Sequence, residues 1–155
     1  MERLDVQHRD YFSVSFRIIS DGLEPSEITS LLGIEPDKAH RKGDPNTSIT
    51  KKGKVMHYAP FRFGVWRIES KLDKYCKLQD HLTNVIERLE PKKDILAKLK
   101  VDGFEMDFSC GYLFSEEDQP SIFLSNEMLK RMAGLGVDLG ISLYPLSIDC
   151  IGTEL

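Results

Sequence analysis

The nine residues Tyr11-Phe12-Ser13-Val14-Ser15-Phe16-Arg17-Ile18-Ile19 carry the clearest structural signal in the chain. Phe12, Val14, Phe16 and Ile18 alternate with mostly polar neighbours, the period of two that marks a strand with one buried and one wet face. Asp21-Gly22 ends the strand. A short helix follows: Glu24 stands near its cap, Pro25 takes the first helical position, and Ile28, Leu31 and Leu32 share one face. Gly33 falls where a left-handed terminating residue is wanted.

Further along, the pattern fades between Glu35 and Tyr58. Pro36, Gly43, Asp44, Pro45, Asn46, Thr47 and Gly53 predict a long loop, with a mobile tip over 46–54. Strand character returns over 61–69 with Phe61, Phe63 and Val65. Trp66 and Ile68 continue it one step out of register, which predicts a bulge at Val65-Trp66. Leu78, Leu82, Val85, Ile86 and Leu89 form the stripe of an amphipathic helix starting near Tyr75. Pro91 restarts the chain into a shorter helix with Ile95, Leu96 and Leu99, ended by Gly103. Phe104, Met106, Phe108 and Cys110 alternate as a strand reaching Phe114, and Ser121–Leu124 is expected to be a short partner strand. Ser125 caps a last helix with Met128, Leu129 and Met132 inward, stopped by Gly134 and Gly136. Val137, Leu139, Ile141 and Leu143 make the closing strand.

Residues 1–155 therefore read as a single α+β domain, an antiparallel or mixed sheet with helices packed on one face. Two similar strand–helix–strand pieces, 11–69 and 104–145, flank a helical middle, 72–101. Duplication explains the echo; so does the ordinary likeness of one helix cap to another. The 155 residues suffice to bury roughly two-thirds of the unfolded surface without a staple. Hydrophobic residues make up 41% and charged residues 30%, a soluble globular mix. No apolar run approaches the ~20 residues that cross a bilayer, and the charged start Met1-Glu2-Arg3-Leu4-Asp5 lacks a signal-peptide core. Cys76, Cys110 and Cys150 are widely spaced and odd in number, so free thiols in a reducing cytoplasm are expected.

The chain offers no phosphate-cradling glycine loop, no nucleophile elbow and no Cys-x-x-Cys, and its four histidines share no metal spacing. No catalytic residue, metal or cofactor is assigned. Cys110, on an inward strand position, reads as a small core residue, and Trp66, the only tryptophan, as a core anchor.

Charge distribution says more. The formal net charge is -4, which argues against nucleic acid as the main partner. Residues 1–78 carry 14 bases against 11 acids, and residues 79–155 carry 7 against 14. Asp102, Glu105, Asp107, Glu116, Glu117 and Asp118 follow one another with no base between them, a candidate surface for a protein partner with a basic cleft. A competing reading takes the 38–54 loop as a lid over a small anion or substrate, held by His40, Arg41, Lys42, Asp44 and Trp66. A third is a homodimer in which the basic loop meets the acidic strand.

Several segments together resemble a known family. They are the aromatic first strand, the helix Ser26-Glu27-Ile28-Thr29-Ser30-Leu31-Leu32-Gly33-Ile34-Glu35-Pro36, Lys42-Gly43-Asp44, Trp66-Arg67-Ile68-Glu69-Ser70, the His81-Leu82 helix, and Leu124-Ser125 through Ala133-Gly134-Leu135-Gly136. The chain is similar over nearly its whole length to the domain of unknown function numbered four-two-seven-nine. That resemblance implies a small bacterial protein with no established activity. Its recurring features, here Leu32-Gly33-Ile34, Gly43-Asp44 and Trp66, imply a helix stop, a loop anchor and a core aromatic. The leading expectation is a non-catalytic, cytoplasmic protein-binding module, in one concrete form an immunity protein that neutralises a toxin.

Overall fold

The computed structural model describes residues 10–146. The opening alternation forms strand β1 (Tyr11–Ser20), followed by helix α1 (Pro25–Leu32). Pro25 starts α1, and Gly33 ends it in the left-handed conformation, φ 65°, which a side chain would strain. Next come β2 (Lys38–His40), β3 (Asn46–Ile49), β4 (Val55–Tyr58) and β5 (Gly64–Glu69). The helical middle is α2 (Leu78–Leu89), a 3-10 turn (Glu90–Lys92) and α3 (Lys93–Val101). Strand β6 (Glu105–Ser115), α4 (Asn126–Leu135) and β7 (Asp138–Leu146) complete the fold. The Ser125 hydroxyl caps α4 by accepting the Met128 amide at 3.1 Å.

Five strands form one mixed sheet in the order β2-β5-β1-β6-β7. β1 pairs antiparallel with both β5 and β6, β2 pairs antiparallel with β5, and β7 runs parallel to β6. Both strand–helix–strand pieces thus lie in one sheet, but they close differently: β5 returns antiparallel to β1, whereas β7 follows a parallel crossover through α4. Parallel pairing needs such a crossover, and α4 supplies it.

The inward residues of the sheet are Val14, Phe16 and Ile18 on β1, Trp66 and Ile68 on β5, and Met106, Phe108 and Cys110 on β6. They join the apolar sides of all four helices in a single buried cluster. All four helices therefore cover the same face. Trp66 has no exposed surface, and its indole N–H donates to Thr29 Oγ1 at 3.0 Å, tying β5 to α1.

Local structure departs from the sequence reading at several places. Leu31 and Leu129, expected on the inward faces of α1 and α4, are each about half exposed because the turn of the helix carries them past the edge of the buried stripe. Residues 46–58 are a β-hairpin, closed where Thr50 N–H donates to Lys54 O, not a shapeless loop. Both of its faces are largely solvated, so no apolar alternation betrays it. Strand β5 begins at Gly64 with no bulge at Val65-Trp66; its inward set is Gly64, Trp66 and Ile68. Phe61 and Phe63 precede it, Phe61 stacking on His40 at 3.5 Å between centroids. Ser121–Leu124 forms no strand. Helix α2 starts at Leu78, and Tyr75 instead meets Tyr11 edge-on at 6.1 Å.

Truncating Trp66 to Ala should cost roughly 3–5 kcal/mol. Thr29→Val should cost about 1–3 kcal/mol by stranding the indole N–H. Urea unfolding followed by circular dichroism measures both, and a Thr29→Val midpoint equal to wild type would show that the bond contributes nothing.

Candidate functional site

With all helices on one side, the opposite face of the sheet stays open. It carries Ser13, Ser15, Arg17 and Ile19 from β1, Val65, Arg67 and Glu69 from β5, Glu105, Asp107, Ser109 and Gly111 from β6, and Asp138, Gly140, Ser142 and Tyr144 from β7, as the pleat and registers require. Arg17 and Asp107 stand directly opposite each other across β1 and β6. Their bond is bidentate, at 2.9 and 2.6 Å, with each side chain about one-third exposed or less. The pair raises the Arg17 pKa further, mainly through that hydrogen bond. It divides the open face into two regions.

On one side lies an acidic end. Asp102 and Glu105 precede and open β6, and Asp138 opens β7 opposite Asp107. Among the described residues these three carboxylates have no ion-pair partner, and Lys100 nearby spends its ammonium on Gly136 O at 2.9 Å.

On the other side lies a cleft of about 450 Å³. Its floor is made of small residues: Ser13, Ser15, Ser109, Gly111 and Ser142. Gly111 lies close under Ser13, and a Cβ there would stand 2.7 Å from the Ser13 Oγ in its present rotamer. The rim comprises Arg67, Glu69, Ser70, Lys74 and Tyr144, and His81 reaches the lining from α2. Ser70 extends the β5–β1 ladder through its amide, which donates to Val14 O at 2.9 Å. Its hydroxyl lies 2.7 Å from His81 Nδ1. His81 is only 2% exposed, and its Nε2 is buried without a hydrogen-bond partner among the described residues, as is Arg67 Nε.

The residues singled out from sequence are dispersed. Asp102 and Glu105 lie at the acidic end, while Asp107 is committed to Arg17. Glu116, Glu117 and Asp118 follow the far end of β6, whose 11 residues span about 35 Å. The acidic run is therefore two separate groups, not one surface. The basic loop is likewise not a set of free cations. Arg41 makes a bidentate pair with Glu24 at 2.6 Å, Lys42 pairs with Asp21 at 2.7 Å, and Asp44 accepts the Arg41 amide at 2.7 Å. His40 stacks on Phe61. These contacts fasten the start of the loop to the β1–α1 turn. Trp66, sealed beneath α1, is removed from the ligand set altogether.

Protonation follows the same geometry. The Arg41 hydrogen bond holds the Glu24 carboxyl below the ordinary range. Burial acts to raise Asp37, but hydrogen bonds from Lys71 and the Glu69 amide outweigh it and keep the pKa low. Burial pushes the Cys110 thiol up to about 12, so it stays protonated and unreactive at neutral pH. Burial, then its hydrogen bond to Asp10 at 2.5 Å, raises Tyr112. No group of three or more His, Cys, Asp or Glu is placed to hold a metal among the described residues, and no helix there is long and apolar enough to cross a membrane.

The Ser70–His81 pair was missed because its members lie eleven positions apart in unlike elements. One signal was available: His81 falls three residues after Leu78 and beside Leu82, on the apolar stripe of α2, where a histidine must find a polar partner.

These features define an α+β protein whose described helices all back one face of a five-stranded mixed sheet, the other face being polar. The chain belongs to the family described as a domain of unknown function, DUF4279, whose model matches residues 9–146. No curated protein and no solved structure matches it.

Two outcomes follow. In a Cys150→Ser background, a thiol reagent at pH 8 should label partly exposed Cys76 in the folded protein and reach Cys110 only after denaturant is added; rapid native labelling of Cys110 would contradict its burial. Glu24, with its lowered pKa, favours folding at neutral pH and loses that contribution as pH falls through its folded value. Carbon-13 titration should find Glu24 below the usual range in wild type and restored to it by Arg41→Gln.

Proposed function

We propose that this chain is a non-catalytic binding module of a bacterial cytoplasm, and that it docks a basic protein partner on the acidic end of its uncovered sheet face. The observation that carries this reading is the trio Asp102, Glu105 and Asp138. Glu105 and Asp138, without a cationic partner among the described residues, line one sheet end that none of the described helices covers, and Asp102 lies three positions before Glu105 at the end of α3. Such a surface attracts a positively charged partner at long range and releases it as salt rises. A toxin-neutralising immunity protein is the concrete form we favour, because carboxylates presented on a strand imitate the phosphates that a basic nuclease cleft would otherwise hold.

The division of the acidic run sharpens the test. Glu105→Lys with Asp138→Lys should slow association with a captured partner roughly tenfold or more at low salt. Glu116→Ser, Glu117→Ser and Asp118→Ser together should leave it near wild type. Tagged wild type and both variants are immobilised, and binding of the partner recovered from a bacterial lysate is timed at low and high salt. Equal rates for wild type and the lysine variant would overturn the reading. Light scattering over the same salt range tests self-association, which would replace the foreign partner with a second copy.

A further inference from the structure

We infer that the cleft on the other half of the open face binds a small molecule through an oxyanion, a carboxylate or a phosphate. This goes beyond the protein-docking reading and rests on different residues, with the Arg17–Asp107 pair standing between the two regions.

The argument starts from an imbalance of donors. Ser70 Oγ accepts the Leu72 amide at 3.3 Å and lies 2.7 Å from His81 Nδ1, and we take the hydroxyl as the donor of that second bond. A neutral imidazole that accepts at Nδ1 carries its proton on Nε2. That N–H is buried and has no acceptor among the described residues. Arg67 presents a second donor in the same state: one of its terminal nitrogens, Nη2, is taken by Glu69, while Nε is buried and has no hydrogen-bond partner among the described residues. Buried donors almost always have acceptors, because leaving one unmade forfeits its hydration without return. Both residues line one cleft, which suits a ligand that only accepts.

Charge and shape agree. Glu69 is neutralised by Arg67, whereas Lys74 lies over the rings of Tyr11 and Tyr75, at 4.5 and 5.2 Å, and pairs with no carboxylate among the described residues. The rim is thus net positive. The floor of serines and Gly111 keeps side-chain bulk out of a volume of about 450 Å³, within the range of small-molecule sites. Tyr144, about half exposed, offers an aromatic wall for the remainder of the molecule. The Ser70–His81 bond is a positioning device: it fixes the ring so that Nε2 keeps its proton.

Inorganic phosphate and succinate serve as probes, with binding followed by calorimetry and by the nitrogen-15 signal of His81 Nε2 in the intact chain. Saturable binding that shifts Nε2 is expected for at least one probe. The tighter of the two tells a phosphate-bearing from a carboxylate-bearing ligand. Arg67→Gln and Lys74→Ala, both at the rim, should each weaken it roughly tenfold, and His81→Gln should abolish it. Glu105→Lys with Asp138→Lys should leave it intact, which separates failure here from failure of the docking reading. Absence of any Nε2 shift with both probes in folded wild type would overturn the inference. So would binding that survives Arg67→Gln and Lys74→Ala unchanged.

Discussion

The row Ile68–Phe16–Phe108–Leu139 runs across four strands, with Phe16 opposite both Ile68 and Phe108, and Phe108 opposite Leu139. Phe16, Ile68 and Phe108 have no exposed surface, and the two phenyl rings lie 5.7 Å apart. Everything else depends on this row staying in register. A slip of one residue in β1 would turn Phe16 to solvent and bring Ser15 and Arg17 into the core, which costs far more than any local contact returns. The helices then have one surface to cover, and Leu82, Val85, Ile86 and Leu89 of α2 cover its centre.

The open face is the complement of that constraint. Residues that the pleat turns away from the core must be tolerable in water, and serines, glycines and cross-strand ion pairs meet the requirement. Their arrangement is not uniform. Arg17 and Asp107 neutralise each other at mid-face, the acidic trio collects where β6 and β7 begin, and the small residues collect toward the far half. Separation of charge from free volume gives one surface two chemically different regions. One is suited to long-range attraction and the other to short-range hydrogen bonding.

Local signals survived translation into structure. The Pro25 start and Gly33 stop of α1, the Ser125 cap and the alternation of β1 and β6 all depend on neighbours within one turn or one pleat, so they stand in the sequence intact. The hairpin at 46–58 did not show, because neither of its faces is buried and backbone pairing leaves no compositional trace. The candidate site was legible in its residue types and not in its grouping. Six acids that are close in sequence were drawn out along an eleven-residue strand, and the loop cations that looked available are held by Glu24 and Asp21, about twenty positions upstream.

The sequence by itself determined the buried alternation of β1 and β6, the Pro25 start and Gly33 stop of α1, the Ser125 cap of α4, that the sheet carries helices on one side, and the family. These follow from hydrophobic period and capping chemistry, which act over a few residues. Tertiary structure alone decided that β7 runs parallel to β6, that Asp107 is spent on Arg17, and that Ser70 meets His81 beside Arg67. Each of these depends on which distant backbones become neighbours. That is settled by closing a single core around Phe16, an event to which no local stretch holds the answer.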